Sequence, residues 1–565
     1  MSYSHIELSG KYQDGPSSAK PGVAGAGQDV FRYDHFAELA ARIRATRRIK
    51  TVLVEQKPDF APRGFAALEG VRRELVRLVE TGKEVLYCCE DCDETALYLA
   101  SAAHSRFIHP EGELRFLGFA RRFVFFKRLL DRFGVRAVVI RRGRYKSAGD
   151  PFRTDGLDEA NREQYTAFYT AAHRRITGTI ADALGKTLDD FGPLTAGHIL
   201  PAEQAVEHGW MTEAVTSREI VRRLQDTEKQ KQRSPKLRGR IPYRAATRRD
   251  GVSRGTFFLR RSPRVAVLFL SGALCDGESR RHPVFGQCSG DVTVAEEIRK
   301  LSRDKRVKGV VLRVDSPGGS ALASETIRRE LAELREKKPL VVSMGNVAGS
   351  GGYWVALEAD HVCAEELTLT GSIGVLMLLL EGETPLKRQG ITSDAVETAP
   401  YAELGTPLRK LRQDELHMLE TRVEHVYEDF LARVAAARAA QPAEIAEVAA
   451  GRVWTGAAAR QNGLLDEVGG LDAAIDYLAE KLGARRLTLA VHPKIKPSLI
   501  ERLVAKNLPR SHAGAGPAGA AAGAAGAAAS VAGTVLEGFG ELHRRPLALM
   551  PFGLPTPRHI PHRHL

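Results

Sequence analysis

The sequence predicts an α/β protein that contains two copies of one unit. Short Val/Ile/Leu runs alternate with amphipathic segments such as residues 66–82, a pattern typical of mainly parallel sheets covered by helices. Aligning the chain with itself shows the duplication: residues 196–215 match residues 450–469 without a gap, at an offset of 254 (450 − 196). Residues 47–54 likewise match residues 305–312. A small drift in the offset is what loop insertions between repeats produce.

The repeats set the predicted domain boundaries. The first copy covers residues 1–225 and the second covers residues 263–485, joined by a basic linker at 226–262. Residues 486–565 form a C-terminal extension. Its Ala/Gly-rich part, residues 513–536, is predicted to be a linker and not a membrane span, because membrane insertion rewards Leu, Ile, Phe and Val. The remaining tail alternates apolar residues with prolines and basic residues, which fits docking on a neighbouring subunit and contact with a membrane equally well.

Composition limits the classes of function. The 565 residues carry a formal net charge of +14, with 43% hydrophobic and 27% charged residues, which is globular in character. The basic residues are scattered among acidic ones and no groove-reading motif accompanies them, so nucleic-acid binding is not expected. Contact with an anionic membrane surface also fits the charge, although a solvated arginine-rich surface is the simpler interpretation.

The six cysteines predict neither a disulfide framework nor a metal site. Cys88, Cys89 and Cys92 lie in the sequence CCEDC, which lacks the paired spacing and the histidines of a zinc site. We expect them to be small packing residues at the end of a strand, and we expect the protein to use no cofactor.

A glycine-flanked serine is the most informative local feature. In residues 341–356, VVSMGNVAGSGGYWVA, an apolar strand-like run breaks into small residues around Ser350, and a helical-looking segment follows. A serine at such a turn can project its hydroxyl from a tight, strained backbone. On this segment alone, an ordinary Gly-rich turn is an equally good interpretation.

A second turn upstream strengthens the catalytic interpretation. In residues 310–331 a buried-looking strand ends at Asp315, and Pro317-Gly318-Gly319 then opens a helix. The start of a helix leaves backbone N–H groups available to hold an anion. A nucleophile turn beside an anion-holding turn is the arrangement that acyl transfer requires.

The two copies differ where this chemistry would lie. Ser350 falls opposite Glu94, and the first copy has no Gly-Ser-Gly-Gly. The first copy instead has GRYKSAGDPF (143–152), in which Lys146 stands opposite Ala402. A lone lysine is usually a solvated surface residue. One copy keeping a serine while the other keeps a lysine instead indicates one site shared by both.

Taken together, these motifs resemble those of the signal peptide peptidase A (protease IV) family in its long, duplicated form. The resemblance covers residues 5–485 and rests on DSPGGS (315–320), MGNVAGSGGYW (344–354), LTGSIG (369–374) and GRYKSAGDPF. It implies a ClpP/crotonase-like α/β domain used twice per chain. It also implies a Ser/Lys-dyad serine peptidase without a cofactor, which assembles as a homotetramer with its sites facing an inner chamber.

The resemblance also assigns the site residues. It makes Ser350 the nucleophile and Lys146 the general base, with Ser372 orienting the lysine amine. It assigns the oxyanion hole to backbone amides of Gly318, Gly319 and Gly351.

Lysine can accept the serine proton only when it is neutral, and an exposed lysine with a pKa near 10.4 is almost fully charged at neutral pH. The site must therefore bury the Lys146 amine away from carboxylates, which lowers its pKa. We expect an endopeptidase that cuts extended apolar peptides such as cleaved signal peptides, with the dyad completed within one chain. The alternatives are an inactive scaffold or binding protein of the same fold, and a crotonase-type acyl-CoA enzyme, which would need neither Ser350 nor Lys146.

Localisation is predicted from the resemblance alone. Long members of the family are usually anchored to the membrane by an N-terminal helix. Here the strand-like residues 5–10 come almost at once, with no signal peptide or spanning helix before them. Membrane association is the family expectation, with an anchor either missing or upstream of the given sequence, and a cytoplasmic location is the alternative.

Overall fold

The computed structural model describes residues 2–16, 30–62, 64–230, 262–282, 286–493 and 547–549. Most of the predicted linker at 226–262 and all of the Ala/Gly-rich segment at 513–536 lie outside these residues. The predictions for those two segments therefore remain predictions.

The first half of the described chain alternates strands and helices, as the sequence predicts. Its elements are β1 (Ser2–Leu8), β2 (Lys11–Gln13), β3 (Val30–Arg32), α1 (Tyr33–Ala45), β4 (Ile49–Gln56), α2 (Phe65–Glu80), β5 (Glu84–Cys89), α3 (Glu94–Ala100), β6 (Ser105–Ile108), β7 (Glu113–Leu114), α4 (Lys127–Phe133), β8 (Arg136–Arg142), α5 (Asp150–Arg153), α6 (Glu159–Leu184), α7 (Phe191–Thr195), β9 (Leu200–Pro201), α8 (Ala202–Glu207), β10 (Glu213–Ala214) and α9 (Ser217–Gln230).

The second half begins after the linker. Its elements are β11 (Arg264–Ser271), β12 (Ala273–Cys275), β13 (Arg280–His282), β14 (Gly286–Gly290), α10 (Asp291–Arg303), β15 (Val307–Ser316), β16 (Gly318–Ser320), α11 (Ala321–Arg335), β17 (Leu340–Gly349), α12 (Gly351–Trp354), β18 (His361–Ala364), β19 (Leu369–Gly371), β20 (Val375–Glu381), α13 (Glu383–Arg388), α14 (Gln413–Arg438), α15 (Pro442–Val448), β21 (Val453–Thr455), α16 (Gly456–Gln461), β22 (Glu467–Val468), α17 (Leu471–Lys481), β23 (Thr488–His492) and β24 (Leu547–Leu549).

The two halves repeat one sheet. In the first half, five parallel strands lie in the order β1-β4-β5-β6-β10. The second half has parallel strands in the matching order β11-β15-β17-β18-β22, with β23 added beside β11. Strand β19 also pairs with β17, and β21 pairs antiparallel with β19. Helices α6 and α14, both of 26 residues, begin 254 residues apart (413 − 159). The predicted α/β class and the duplication are therefore confirmed.

The apolar runs account for the cores of both halves. All ten residues of β17 are buried, as expected for a central parallel strand covered on both faces. The amphipathic α2 buries Val71, Leu75 and Leu78 on one side. Cys88 and Cys89 end β5 as buried thiols, as the sequence predicts for packing residues.

Contacts across the halves are extensive and partly ionic. Helix α2 of the first half packs against β17 of the second. On α2, the Arg73 guanidinium lies 2.6 Å from a carboxylate oxygen of Glu365. Arg313 on β15 and Asp14 near the N-terminus form an ion pair in which both side chains are buried. A buried charge is tolerated only when it is paired, so these pairs fix how the two halves pack.

A third sheet, which the sequence analysis did not foresee, combines strands from both halves. Its order is β13-β14-β12-β16-β24-β20-β8. Strand β8 of the first half runs antiparallel to β20 of the second half over seven residue pairs, from Arg142 opposite Val375 to Arg136 opposite Glu381. The tail strand β24 lies between β16 and β20. This sheet brings the loop that follows β8 to the edge of the second half.

Among the helices of the described residues, none is both long enough and apolar enough to cross a membrane.

Candidate active site

Ser350 lies at the turn between β17 and α12, with φ 56° and ψ −116°. A non-glycine residue at positive φ is strained by about 1–3 kcal/mol and persists only where its surroundings hold it. The Ser350 N–H donates to the Gly371 carbonyl at 2.8 Å, and its own carbonyl accepts from the N–H groups of Tyr353 and Trp354. Both aromatic side chains are buried. The turn is therefore fixed from both sides, with the Ser350 side chain in the interior of the protein.

The two predicted glycine turns lie against each other. A Cβ on Gly351 would clash with Ser324 Oγ and would lie 3.3 Å from the Gly319 amide nitrogen. A Cβ on Gly352 would come within 2.6 Å of the Ser316 carbonyl oxygen. Only glycine permits this approach, so the backbone after Ser350 lies beside the turn at 317–319.

That second turn differs from the prediction in one respect. Gly318 and Gly319 form part of a short strand, β16, and the helix begins at Ala321, with Ser320 as its N-cap. The Gly318 N–H donates to Ser316 Oγ at 3.2 Å. An anion held by the Gly318 amide would have to share or displace this hydrogen bond.

Lys146 reaches this turn from the first half of the chain. It lies four residues after the end of β8, and its side chain is 1% exposed. Its Nζ lies 2.6 Å from Ser350 Oγ, across 204 residues of sequence. Nζ also lies 2.9 Å from the Ser372 carbonyl oxygen and 3.1 Å from Ser372 Oγ. The structure thus brings together the three side chains that the sequence analysis singled out.

Burial sets the electrostatics of this cluster. Desolvation lowers the pKa of Lys146 well below its ordinary value of 10.5. Desolvation disfavours the charged amine, and among the described residues no carboxylate opposes this effect, so burial increases the share of the neutral amine. This is the protonation state that a general base needs.

The loop that carries Lys146 is held by contacts that the sequence analysis missed. The Tyr145 N–H donates to the Ala450 carbonyl at 2.9 Å. A Cβ on Gly451, which has φ +78°, would lie 2.6 Å from the Lys146 backbone nitrogen. Its repeat counterpart Gly197 also has positive φ, but nothing lies within 4 Å of a Cβ there. The repeat alignment contains both glycines, so only the structure shows that one of them supports the lysine.

Buried polar groups on α6 complete this support. Gln164 donates to the Tyr145 carbonyl at 3.1 Å and accepts from the Val453 N–H at 3.1 Å. Asn161 donates to Asp150 at 2.8 Å, and Arg141 contacts both the Lys146 carbonyl and Asp150. These bonds tie the lysine loop to α6 and to β21.

Two groups of side chains among the described residues have donor atoms close enough to hold a metal ion. They are His361, Cys363 and Glu467, and His5, Glu7 and Glu55. Neither includes a residue of the Ser350 cluster, and we assign them no part in the chemistry of that cluster.

Comparisons with known proteins identify the family. The model of peptidase family S49 matches residues 77–231 and 332–485, together more than half of the chain. Protease 4 of Salmonella typhi is 32% identical over 84% of this chain and 77% of its own length. Protease 4 of Haemophilus influenzae is 31% identical over 76% and 70%. The chloroplastic serine protease SPPA of Arabidopsis thaliana is 30% identical over 74% of this chain and 61% of its own.

Among solved structures, a ClpP1 mutant from Listeria monocytogenes matches 37% of this chain and 94% of its own, with 12% identity and a TM-score of 0.25. The two S49 regions fall one in each half of the duplicated fold. The resemblance to the protease IV family and the assignment as an enzyme are thus confirmed: the chain belongs to peptidase family S49 and is a serine peptidase of the duplicated type.

Proposed function

We propose that this chain is a serine endopeptidase that uses Ser350 as nucleophile and Lys146 as general base, and that it cuts extended apolar peptides such as cleaved signal peptides. The observation that carries the proposal is the 2.6 Å contact between Lys146 Nζ and Ser350 Oγ inside a buried site. An inactive scaffold would not need to bury an amine against a serine hydroxyl, and a crotonase-type acyl-CoA enzyme needs neither group.

The contacts of Nζ suit a neutral amine. A neutral amine has two N–H donors and one lone pair. The two donors serve the carbonyl oxygen and Oγ of Ser372, which leaves the lone pair for the Ser350 hydroxyl proton. Lys146 takes this proton as Ser350 Oγ attacks the peptide carbonyl, and returns it to the leaving amine when the peptide bond breaks. Water then hydrolyses the acyl-enzyme by the same proton route.

The developing oxyanion needs donors beside Ser350. The backbones of Gly319 and Gly351 are close there, since a Cβ on Gly351 would lie 3.3 Å from the Gly319 nitrogen, and we assign their amides to this role. Gly318 adds a third donor once it releases Ser316 Oγ. Removing one such donor typically costs about 3–4 kcal/mol of transition-state stabilisation. The glycines permit the close approach of the backbone that this role requires.

We take the substrate path to be the groove that lies between β16 and β20 when the tail strand β24 is displaced. On one side, strand β16 carries the proposed oxyanion glycines. On the other side lies β20, whose far edge pairs with β8, the strand that leads to Lys146. An extended peptide can bind between two such strands through main-chain hydrogen bonds. Leu376 and Leu378 on β20 lie in a buried apolar cluster with Ala148, so the strand that borders this path is apolar, as a path for apolar peptides requires.

The pH dependence of Ser350 labelling by a fluorophosphonate tests the proposal directly. Only neutral Lys146 can accept the proton, so the labelling rate should rise with pH and level off well below the pKa of a free lysine, near 10.4. As pH falls through the lowered pKa, the rate should drop about tenfold per pH unit. A histidine-like limb that disappears in a histidine variant would contradict the Ser/Lys assignment, and no labelling at any pH would favour the scaffold or acyl-CoA alternatives.

We also propose that the protein forms a closed ring of four chains, as the family resemblance implies. Within the chain, β20 of the second half pairs with β8 of the first. By the repeat offset of 256, the counterparts of these strands are residues 119–125 and 392–398, which form no strands here. Ile140 on β8 is 5% exposed, whereas its counterpart Val396 is 101% exposed.

These counterpart segments supply a head-to-tail interface. Val124, the counterpart of Leu380, is 60% exposed, so both segments present apolar residues to solvent. If residues 119–125 of one chain pair with residues 392–398 of the next, every chain repeats its internal junction between chains. A heterologous contact of this kind generates a ring when the rotation closes.

The register of this interface is testable by disulfide cross-linking. Leu380 lies opposite Ala137 within the chain, so Val124 of one chain should lie opposite Ser393 of the next. Val124→Cys with Ser393→Cys should give linked chains up to tetramers on a non-reducing gel, because directly paired residues lie within disulfide range. Val124→Cys with Glu397→Cys, four residues out of register, is the matched control. Equal cross-linking in both, or monomer only, would contradict the interface.

For localisation, we propose peripheral membrane association. Helix α4 buries none of its residues and exposes Leu129 and Phe133 beside basic side chains of the same helix. Apolar residues flanked by basic ones suit contact with an anionic lipid surface.

A further inference from the structure

The C-terminal tail lies in the groove proposed for substrates. Its strand Leu547–Leu549 runs antiparallel to β16, with Leu549 opposite Gly318, Ala548 opposite Gly319 and Leu547 opposite Ser320. On its other side, Leu547 also pairs with Leu376 of β20. The tail strand is thus the middle strand between the two elements that border the catalytic cluster.

This placement uses the backbone groups that a peptide substrate would use. Strand β16 pairs with β12 along one edge, through Leu274 and Gly319, and with the tail along the other. Strand β20 pairs with β8 along one edge, and on its other edge Leu376 pairs with Leu547 of the tail. The tail therefore covers β16 over Gly318–Ser320 and meets β20 at Leu376. An incoming strand cannot pair at these residues at the same time, so tail and substrate exclude each other there.

The tail also has the composition and the reach for this role. Leu-Ala-Leu is a small, apolar, extended sequence of the kind proposed for the substrates. Strand β23 ends at His492, so 54 residues (547 − 493) separate it from the tail strand. Fully extended, that many residues span roughly 180 Å, so chain length does not limit access to the groove.

We propose that the segment around Leu547–Leu549 is a tethered ligand of its own chain's peptide groove, held as a strand between β16 and β20, and that peptide substrates bind by displacing it. The proposal rests on the proposed function in taking this groove as the substrate path. Because the ligand is part of the chain, its effective concentration is independent of protein concentration. Only peptides that compete well for the groove then reach Ser350.

A proline substitution isolates the tail contact. A strand with a neighbour on each side directs each of its N–H groups to one of them, so proline at position 548 removes a ladder hydrogen bond. Ala548→Pro should weaken the tail's hold, while Ala527→Pro, in the Ala/Gly-rich segment, is the matched control. The parent protein is the full chain with Ser350→Ala, so that no peptide is cleaved during the measurement.

The measurement is the fluorescence anisotropy of a labelled peptide with the sequence of residues 543–553. We expect the Ala548→Pro protein to bind this peptide about tenfold more tightly than the parent protein and the Ala527→Pro protein, which should bind equally. The same peptide with proline at position 548 should bind all three proteins about tenfold more weakly. A chain that ends at residue 542 lacks the tail strand and should bind the peptide as tightly as the Ala548→Pro protein. Because it contains no added proline, agreement between the two shows that the tighter binding does not come from a folding defect caused by proline.

Equal affinity in the parent protein, Ala548→Pro and the truncated chain would overturn the proposal, as would failure of the peptide to bind any of them. Because the readout is binding to a protein without the Ser350 hydroxyl, it is separate from catalysis. If fluorophosphonate fails to label the wild-type serine while the tail peptide still competes as expected, the proposed peptidase function fails and the tail contact stands.

Discussion

Replacing Lys146 with methionine or arginine is expected to lower kcat for peptide hydrolysis by about 10⁴-fold or more, and Ser350→Ala should lower it as much. Methionine fills a similar volume but has no basic lone pair, and the guanidinium of arginine cannot act as a base at working pH. The measurement is kcat with a fluorogenic apolar peptide, with circular dichroism to verify folding. Turnover of Lys146→Arg within tenfold of the wild type would contradict the assignment of the base.

Two further variants make this test more specific. Ser372→Ala removes only the 3.1 Å contact to Nζ and keeps the 2.9 Å contact to the carbonyl. It should therefore lower kcat by about 10²-fold or less. The double variant Ser350→Ala with Lys146→Met should be no worse than either single variant, because the two groups act as one unit.

Gly451→Ala is expected to lower kcat by about 10²-fold although residue 451 makes no contact with substrate in this account. The added Cβ would lie 2.6 Å from the Lys146 nitrogen and 2.8 Å from its Cβ, both too close. The lysine loop must shift, and a displacement of about 1 Å at a reacting group costs on the order of 10²-fold. The measurement is kcat together with the rate of fluorophosphonate labelling.

The chain contains a matched control for this variant. Gly197 is the repeat counterpart of Gly451 and has φ +100°, with open space around a built Cβ. Both alanine variants strain a positive-φ backbone by about 1–2 kcal/mol, so both should lower the melting temperature. Only Gly451→Ala should lose activity. Equal activity losses would show that backbone strain, and not the position of Lys146, is responsible.

Much of the fold was predictable because the two copies of the duplicated unit still have similar sequences. The offsets of 254 to 258 between matched segments reappear as equal helices and as one strand order repeated in the two halves. For the same reason, the sequence showed that the serine is kept only in the second copy, as Ser350, and the lysine only in the first, as Lys146. Each stands opposite an unrelated residue in the other copy, which indicated one shared site before any distance was known.

The rest depends on contacts that no local pattern encodes. Strand β8 pairs with a strand more than 200 residues away, and periodicity describes a strand without naming its partner. The sequence did not distinguish whether the tail contacts a neighbouring subunit or a membrane. In the structure, the described tail strand pairs with β16 of its own chain. Gly451 was visible only as a repeated glycine, because crowding by Lys146 is a tertiary effect.

In the proposed active site, Ser350 and Lys146 belong to the same chain. Mixing subunits that each lack one of the two residues tests this arrangement. Ser350→Ala chains and Lys146→Ala chains carrying different affinity tags are denatured together, refolded and purified through both tags, so that each retained assembly contains both variants. We expect no peptide hydrolysis above that of either variant alone, because every site lacks one member of the dyad. Recovery of activity in the doubly tagged fraction would show that the dyad is completed between chains and not within one chain.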